Sequence, residues 1–189
     1  MATKKSQRTT QSQQKLRIIG GKWRSRIIPF PSAQGLRPTG DRVRETVFNW
    51  LAPSIEGARC LDLFAGSGAL CFESLSRGAA HCTALELQDA AVRQLRESAT
   101  VLEALDLRIV QTNSLQYLEN NGTQQRYDLV FVDPPFDTPL LSSACALLER
   151  GQWLATNAKI YCELSAADNS FVPAHNWQLL REKISGGVR

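Results

Sequence analysis

From residue 58 onward, short apolar runs alternate with amphipathic stretches. CLDLF (60–64), HCTALEL (81–87), LRIVQT (107–112), YDLVFVD (127–133) and AKIYCEL (158–164) read as buried strands. Between them, apolar residues recur at helical spacing over about 68–77, 89–102 and 138–149, with a short helix from Ser114. Continuous apolar strands separated by such helices predict an α/β fold, with a mostly parallel sheet covered by helices on both faces. WQLLREKI (177–184) reads as a further strand. The chain stops at Arg189, soon after Gly186-Gly187, a turn signal with no strand behind it, so the sheet is expected to lack its last strand.

The first part of the chain has a different rhythm. In LRIIGGKWRSRII (16–28), two β-rich runs flank Gly20-Gly21, which predicts a hairpin with a primed turn. Alternation along the second run would put Lys22, Arg24 and Arg26 on one face and Trp23 on the other. Such a ribbon suits RNA contact; the competing reading is an edge strand protected by charge. After a loop marked by Pro29, Pro31 and Gly35, Thr39 can cap a helix that starts near Gly40 or Asp41 and ends at Pro53 and Gly57. Its apolar stripe is Val43, Val47, Trp50 and Leu51. The expected organisation is a disordered basic tail (1–15), a hairpin-and-helix extension (16–57) and a catalytic domain (58–189).

Charge sharpens this division. Residues 1–46 carry +9 and the remainder −5, giving the net +4. A basic arm on an acidic body points to a polyanion partner, with a merely solvated tail as the alternative. No apolar run reaches membrane-spanning length and the polar first fifteen residues lack a signal-like core, so a cytoplasmic protein is expected. Five widely spaced cysteines form no metal-like pair and read as buried thiols; Trp153 and Trp177 read as core, and His81 and His175 receive no role.

Two motifs carry chemistry. Asp62-Leu63-Phe64-Ala65-Gly66-Ser67-Gly68 joins the first sheet strand to its helix, and Glu86 ends the second strand twenty residues after Gly66. A glycine loop at a helix start, paired with an acid so spaced, marks an adenosine-bearing cofactor whose ribose hydroxyls the acid accepts. Cys71 occupies the third position where a dinucleotide fingerprint has glycine. Asp62 would repel a pyrophosphate but attract an ammonium, which favours S-adenosylmethionine over a nicotinamide cofactor. Asn113 can bond the adenine ring and Ser114 can cap the next helix.

The second motif is Asp133-Pro134-Pro135-Phe136, which ends the fourth strand. Asp133 and the Pro134 carbonyl can accept from a target amine and hold its nitrogen in line for attack, while Phe136 offers a stacking face for a flipped-out base. A carboxylate accepts from both N1–H and the exocyclic amine of guanine, so Asp133 leans toward guanine N2. An adenine-N6 methyltransferase and a non-catalytic ribosome-assembly factor remain as alternatives.

These residues together resemble the bacterial 16S rRNA guanine-N2 methyltransferases of the RsmD type, which act on guanine 966. The resemblance rests on the hairpin residues 18–24, on Leu36-Arg37-Pro38-Thr39 with Asp41-Arg42-Val43-Arg44-Glu45, on Phe48-Asn49-Trp50-Leu51, and on the two motifs above. It implies a class I S-adenosylmethionine-dependent methyltransferase: a Rossmann-like, seven-stranded, mostly parallel sheet. It also implies 16S rRNA in the small subunit or its assembly intermediate as the substrate. Separately from the resemblance, a monomer acting without metal is expected. The implied cofactor seat comprises Thr39, Arg44, Asp62, Phe64, Ala65 and Gly66. Ser67, Gly68, Glu86, Leu87, Asn113, Ser114 and Asp133 complete it. Asp133, Pro134, Pro135 and Phe136 would be catalytic, and Lys22, Arg24, Arg26, Arg37 and Arg42 would meet RNA phosphates.

Overall fold

The computed structural model describes residues 13–31, 40–120, 125–136 and 138–189. Its centre is a five-stranded parallel sheet built from β3 (Arg59–Asp62), β4 (His81–Glu86), β5 (Leu107–Gln111), β6 (Tyr127–Val132) and β7 (Leu154–Cys162). Ahead of it lies a two-stranded antiparallel sheet of β1 (Gln13–Arg17) and β2 (Ile27–Pro31). The helices are α1 (Asp41–Ile55), α2 (Ala69–Ser76), α3 (Asp89–Leu102), α4 (Ser114–Asn120) and α5 (Leu140–Arg150).

The strand order is β5-β4-β3-β6-β7. The chain runs outward from β3 through β4 to β5, then returns to the other side of β3 as β6. The order therefore reverses between β3 and β6, and a crevice opens there beyond the carboxyl ends of the strands. β3 is sealed on both faces, with Cys60 and Leu61 at 0% exposure. On one face Phe48, Phe72, Leu75, Leu95 and Phe131 pack with the hairpin residues Leu16, Ile18, Trp23, Ile28 and Phe30. On the other, Leu63, Tyr117, Tyr127, Leu148 and Trp153 form a second core.

The structure corrects several expectations. The sheet has five strands among the described residues, not seven, and 177–184 forms no strand. Leu179, Leu180 and Ile184 in that segment are exposed, so nothing there pairs or buries the run. β1 already begins at Gln13, inside the expected tail. Pro53 lies within α1, which continues to Ile55. Of the expected stripe in α1, Val47 is buried and Val43, Trp50 and Leu51 are partly so; the deepest residues are Arg44 and Phe48, each 0% exposed. Trp177 is only partly buried, whereas Trp153 is core.

The hairpin is the most instructive correction. Its strands pair up to Arg17↔Ile27, so residues 18–26 form the connection, with a 3-10 turn at Gly21–Trp23, and no primed turn forms at Gly20-Gly21. Lys22, Arg24 and Arg26 are exposed and Trp23 is buried, as alternation suggested, but none of them lies in a strand. The reason is competition for the backbone donors. Glu73 on α2 accepts from the N–H groups of Ile19 and Gly20, both at 2.8 Å. Ser76 accepts from the Trp23 N–H at 2.9 Å and donates to the Gly20 carbonyl at 2.5 Å. Gly21 has φ +75°, and a Cβ there would sit 1.7 Å from the Ser76 carbonyl oxygen. The two glycines let the loop lie flat on the end of α2 instead of turning tightly.

Glu73 also pairs with Arg77 at 2.7 Å and with Arg44 at 3.5 Å, and is itself 0% exposed. Removing one partner of such a buried network leaves cations without an anion, at about 3–5 kcal/mol. We expect Glu73→Ala to lose that much in urea unfolding, and the exposed Glu97→Ala to lose under about 0.5 kcal/mol.

Candidate active site

β3 ends at Asp62, and the chain bends through Leu63–Gly68 into α2. Gly66 has φ +50° and Gly68 φ +84°, a region that side chains disfavour. A Cβ on Gly68 would lie 2.4 Å from Phe72 and 2.7 Å from Leu95, so only glycine lets the loop close onto its helix. The Ala65 N–H donates to the Leu85 carbonyl at 2.9 Å, which ties the loop to β4. Ser67 is nearly buried and Phe64 partly so.

Glu86 closes β4 beside this loop. One carboxylate oxygen accepts from the Gly66 N–H at 2.8 Å and the other from the Gln88 N–H at 2.7 Å. The acid is thus oriented by the glycine loop itself, and each oxygen retains a further lone pair for a hydroxyl. The next residue, Leu87, is 62% exposed, an apolar face left beside a polar anchor.

Asp62 is the anomaly of the site. It is 1% exposed, and neither carboxylate oxygen has a partner in hydrogen-bond geometry. Burial pushes its pKa up to about 7; the Phe64 and Cys71 N–H groups lie near enough only to moderate the shift, and the charge of Glu86 adds to it. A buried carboxylate without a partner is a seat for a cation, and an ammonium fits that donor set.

Beyond β5, Asn113 rather than Ser114 caps α4. Its Oδ1 accepts from the N–H groups of Leu115 at 3.0 Å and Gln116 at 3.2 Å. The buried Ser114 hydroxyl instead donates to the Leu63 carbonyl, pinning the start of α4 to the end of β3.

Across the switch point, Asp133 follows β6 and is half-buried, Pro134 is buried, and Phe136 is 42% exposed. Thr138 donates to the Pro135 carbonyl at 2.8 Å and holds the turn. Beside it opens a cleft of about 440 Å³, lined by Pro134, Pro135, Phe136, Glu163, Leu164 and Ser165 among others. The exposed Phe136 ring forms part of its wall, and a purine base fits such a space.

The structure thus gathers Asp62–Gly68, Glu86, Leu87, Asn113 and Ser114 at neighbouring strand ends, with Asp133–Phe136 on the other side of the switch point. It does not bring Arg44 to them in the expected way. The Arg44 guanidinium is buried and committed to Glu73, to Asp41 at 2.5 Å and to the Arg17 carbonyl at 2.9 Å. Thr39 and Arg37 lie outside the described residues. Arg24 and Arg42 share a second groove of about 280 Å³ with Arg17, between the hairpin loop and α1. Lys22 lies over the Trp23 ring, 4.5 Å from its centre. Sequence reasoning overlooked Glu73, Tyr161 and Glu163. The available signal for Glu73 was a lone acid inside the apolar helix ALCFESLS.

This arrangement, a glycine loop and a terminal acid facing an Asp-Pro-Pro-Phe turn across the reversal of a parallel sheet, defines a Rossmann-like methyltransferase fold. Residues 16–189 match the family described as Conserved hypothetical protein 95, and the chain belongs to that family. It is 51% identical over 175 residues to Ribosomal RNA small subunit methyltransferase D of Escherichia coli (strain K12), covering 92% of this chain and 86% of that one. The protein of the same name from Haemophilus influenzae is 43% identical over 182 residues, covering 95% and 94%. The solved structure of the Escherichia coli protein yhhF, a candidate methyltransferase by its own description, superposes with a TM-score of 0.85 at 48% identity, covering 93% of this chain and 94% of that one. Among the described residues no group of His, Cys, Asp and Glu could hold a metal, and no helix is long and apolar enough to cross a membrane.

The raised pKa of Asp62 has a sign. Its folded value of about 7 lies above the unfolded 3.8, so the ligand-free protein loses stability as pH rises from about 4 to about 7 and levels off above. Asp62→Asn removes that loss. Thermal unfolding without ligand should show the variant more stable than the parent at pH 8, by a few kcal/mol at most, and equal to it near pH 4.

Proposed function

We propose that this protein transfers a methyl group from S-adenosylmethionine to the exocyclic N2 of a guanine in 16S rRNA of the small ribosomal subunit, at guanine 966. The observation that carries the reading is the pairing at the switch point: a buried carboxylate without a partner, Asp62, at the end of β3, and Asp133 with its prolines at the end of the hydrogen-bonded neighbour β6. The names of the relatives support rRNA as the substrate.

Bound S-adenosylmethionine supplies an electrophilic methyl carbon. Glu86, fixed by the glycine loop, accepts from the ribose hydroxyls, and Leu87 covers the adenine. Asn113, its carbonyl oxygen spent on the helix cap, offers amide N–H groups to the ring. Asp62 receives the amino-acid ammonium, which returns it to the charged state. Gly66, at φ +50°, lets the loop backbone turn beside the ligand, and Gly68 lets that loop close onto α2 behind it.

On the acceptor side the amine must lose conjugation with its ring before its lone pair can attack. Asp133 and the Pro134 carbonyl accept its N–H groups, favour the pyramidal state and keep the nitrogen in line. Asp133 is then placed to take the proton released on methylation. Phe136 stacks on the flipped-out base. The extension (16–57) carries Lys22, Arg24, Arg26 and Arg42 toward phosphates, and Arg37 with them, while residues 58–189 perform the transfer. We further assign the protein a monomeric, metal-free, cytoplasmic role.

The test offers labelled donor to unmodified small subunits and to stripped rRNA and maps the modified nucleoside. The expected product is N2-methylguanine at one position; N6-methyladenine, or no incorporation into either substrate, overturns the reading. Asp133→Ala should lower kcat by about 100- to 1000-fold with little change in KM for the donor.

A further inference from the structure

β7 delivers a carboxylate, Glu163, to the cleft walled by Phe136. Glu163 immediately follows β7 and its N–H donates to the Val132 carbonyl at 3.0 Å, so it leaves the sheet alongside Asp133. It is 6% exposed and lines the cleft together with Phe136. Its carboxylate accepts from the Tyr161 hydroxyl at 2.7 Å. Tyr161 in turn is paired in register with Phe131 and packs against that ring at 6.4 Å. The aromatic pair fixes the phenol, and the phenol fixes the carboxylate. The Tyr161 hydroxyl is held strongly in its protonated form, first by burial and then by the charges of Glu163 and Asp133, so it donates and does not compete for protons.

We infer that Glu163 is a specificity-determining residue that accepts the N1–H of the target guanine while Asp133 holds the neighbouring exocyclic amine. This rests on the guanine-N2 reading above and deepens it. The Watson–Crick edge of guanine presents N1–H and N2–H side by side, and two strand ends in register present two acceptors side by side. A single carboxylate that served both donors would be drawn away from the in-line position the amine needs. Dividing the edge between Glu163 and Asp133 leaves Asp133 to act on the nucleophile alone. Adenine, or any purine with an unprotonated N1, sets a lone pair against the fixed Glu163 carboxylate. A site built to receive a donor rejects the analogue lacking it far more strongly than a mere apolar pocket does. The Tyr161 hydroxyl matters because a freely rotating glutamate could turn away, and a tethered one cannot.

The test uses small-subunit rRNA carrying either guanine or 2-aminopurine at the modified position. 2-Aminopurine keeps the reactive amine but has a bare N1. The parent enzyme should prefer guanine by on the order of 100-fold in kcat/KM. Glu163→Gln can turn its amide N–H toward a bare N1, so its preference should fall below about 5-fold, through both a loss on guanine and a gain on 2-aminopurine. Tyr161→Phe keeps the ring packing and removes only the tether; its preference should fall in the same direction by a smaller factor. It makes the comparison even if Glu163→Gln folds poorly, and donor affinity of each variant reports an intact cofactor side. Equal losses on both bases with the preference unchanged would overturn the assignment and leave Glu163 a structural residue. A parent enzyme that methylates neither RNA would instead remove the guanine-N2 reading on which it stands.

Discussion

One buried carboxylate ties the hairpin and the first helix to the helix that the glycine loop opens. Glu73 sits on α2, the helix that the glycine loop opens, and it collects two hairpin N–H groups, Arg77 and Arg44. Arg44 belongs to α1 and also reaches the Arg17 carbonyl in β1. Through four contacts, the hairpin, the first helix and α2 share one anchor. Burying a charge is costly unless every lone pair is met, and here backbone donors and cations meet them together. The basic extension is therefore not a tethered arm. It is bolted to the element whose other end shapes the glycine loop.

That geometry relates the two ends of the proposed reaction. The C-terminal end of α2 carries Ser76 and the hairpin loop, with Lys22, Arg24 and Arg26 exposed upon it. Its N-terminal end carries Gly68 and faces the crevice at the switch point. An eight-residue helix is about 12 Å long, so the proposed phosphate contacts and the proposed donor site would be set at a fixed, short distance by one rigid element. A flexible arm would bind RNA equally well but could not deliver one chosen nucleotide to one sulfur-bound methyl.

How much of this was legible beforehand follows from what kind of information each part needs. Strand and helix order came through clearly, since the central strands β3, β4 and β6 are apolar runs buried along most of their length, while the flanking β5 and β7 are only partly buried. The paired motifs at 62–68 with 86, and at 133–136, were legible because backbone freedom and proline stiffness are properties of residue type. The hairpin loop was misread because Gly20-Gly21 describes a permissive backbone, not the partner that uses it; Ser76 and Glu73 lie more than fifty residues away. Arg44 was misplaced for the same reason: its role is decided by an acid on another helix. The cap of α4 fell to Asn113 rather than Ser114 because either side chain can cap and the Ser114 hydroxyl is spent on the Leu63 carbonyl. The number of strands was inherited from a resemblance, and the exposed leucines at 179 and 180 pair with nothing described.

The two buried acids of the core, Asp62 and Glu73, make opposite contributions, and the contrast separates architecture from chemistry. Glu73 is met by two backbone N–H groups, by Arg77 and by the ion pair with Arg44, all from its own fold. Asp62 has no hydrogen-bond partner and is pushed toward neutrality at the cost of stability above pH 4. Stability alone would favour Asn or a small apolar residue at the end of β3. A carboxylate without a hydrogen-bond partner, beside a glycine-opened loop and on the strand next to β6, would be explained by a cation that arrives from outside. The ammonium of an amino-acid-bearing donor is such a cation, and binding it would convert the local deficit into affinity. The central strand thus keeps a cost in the free protein that the loaded protein would no longer carry, which is how a fold selects a charged ligand over the water that would otherwise fill its site.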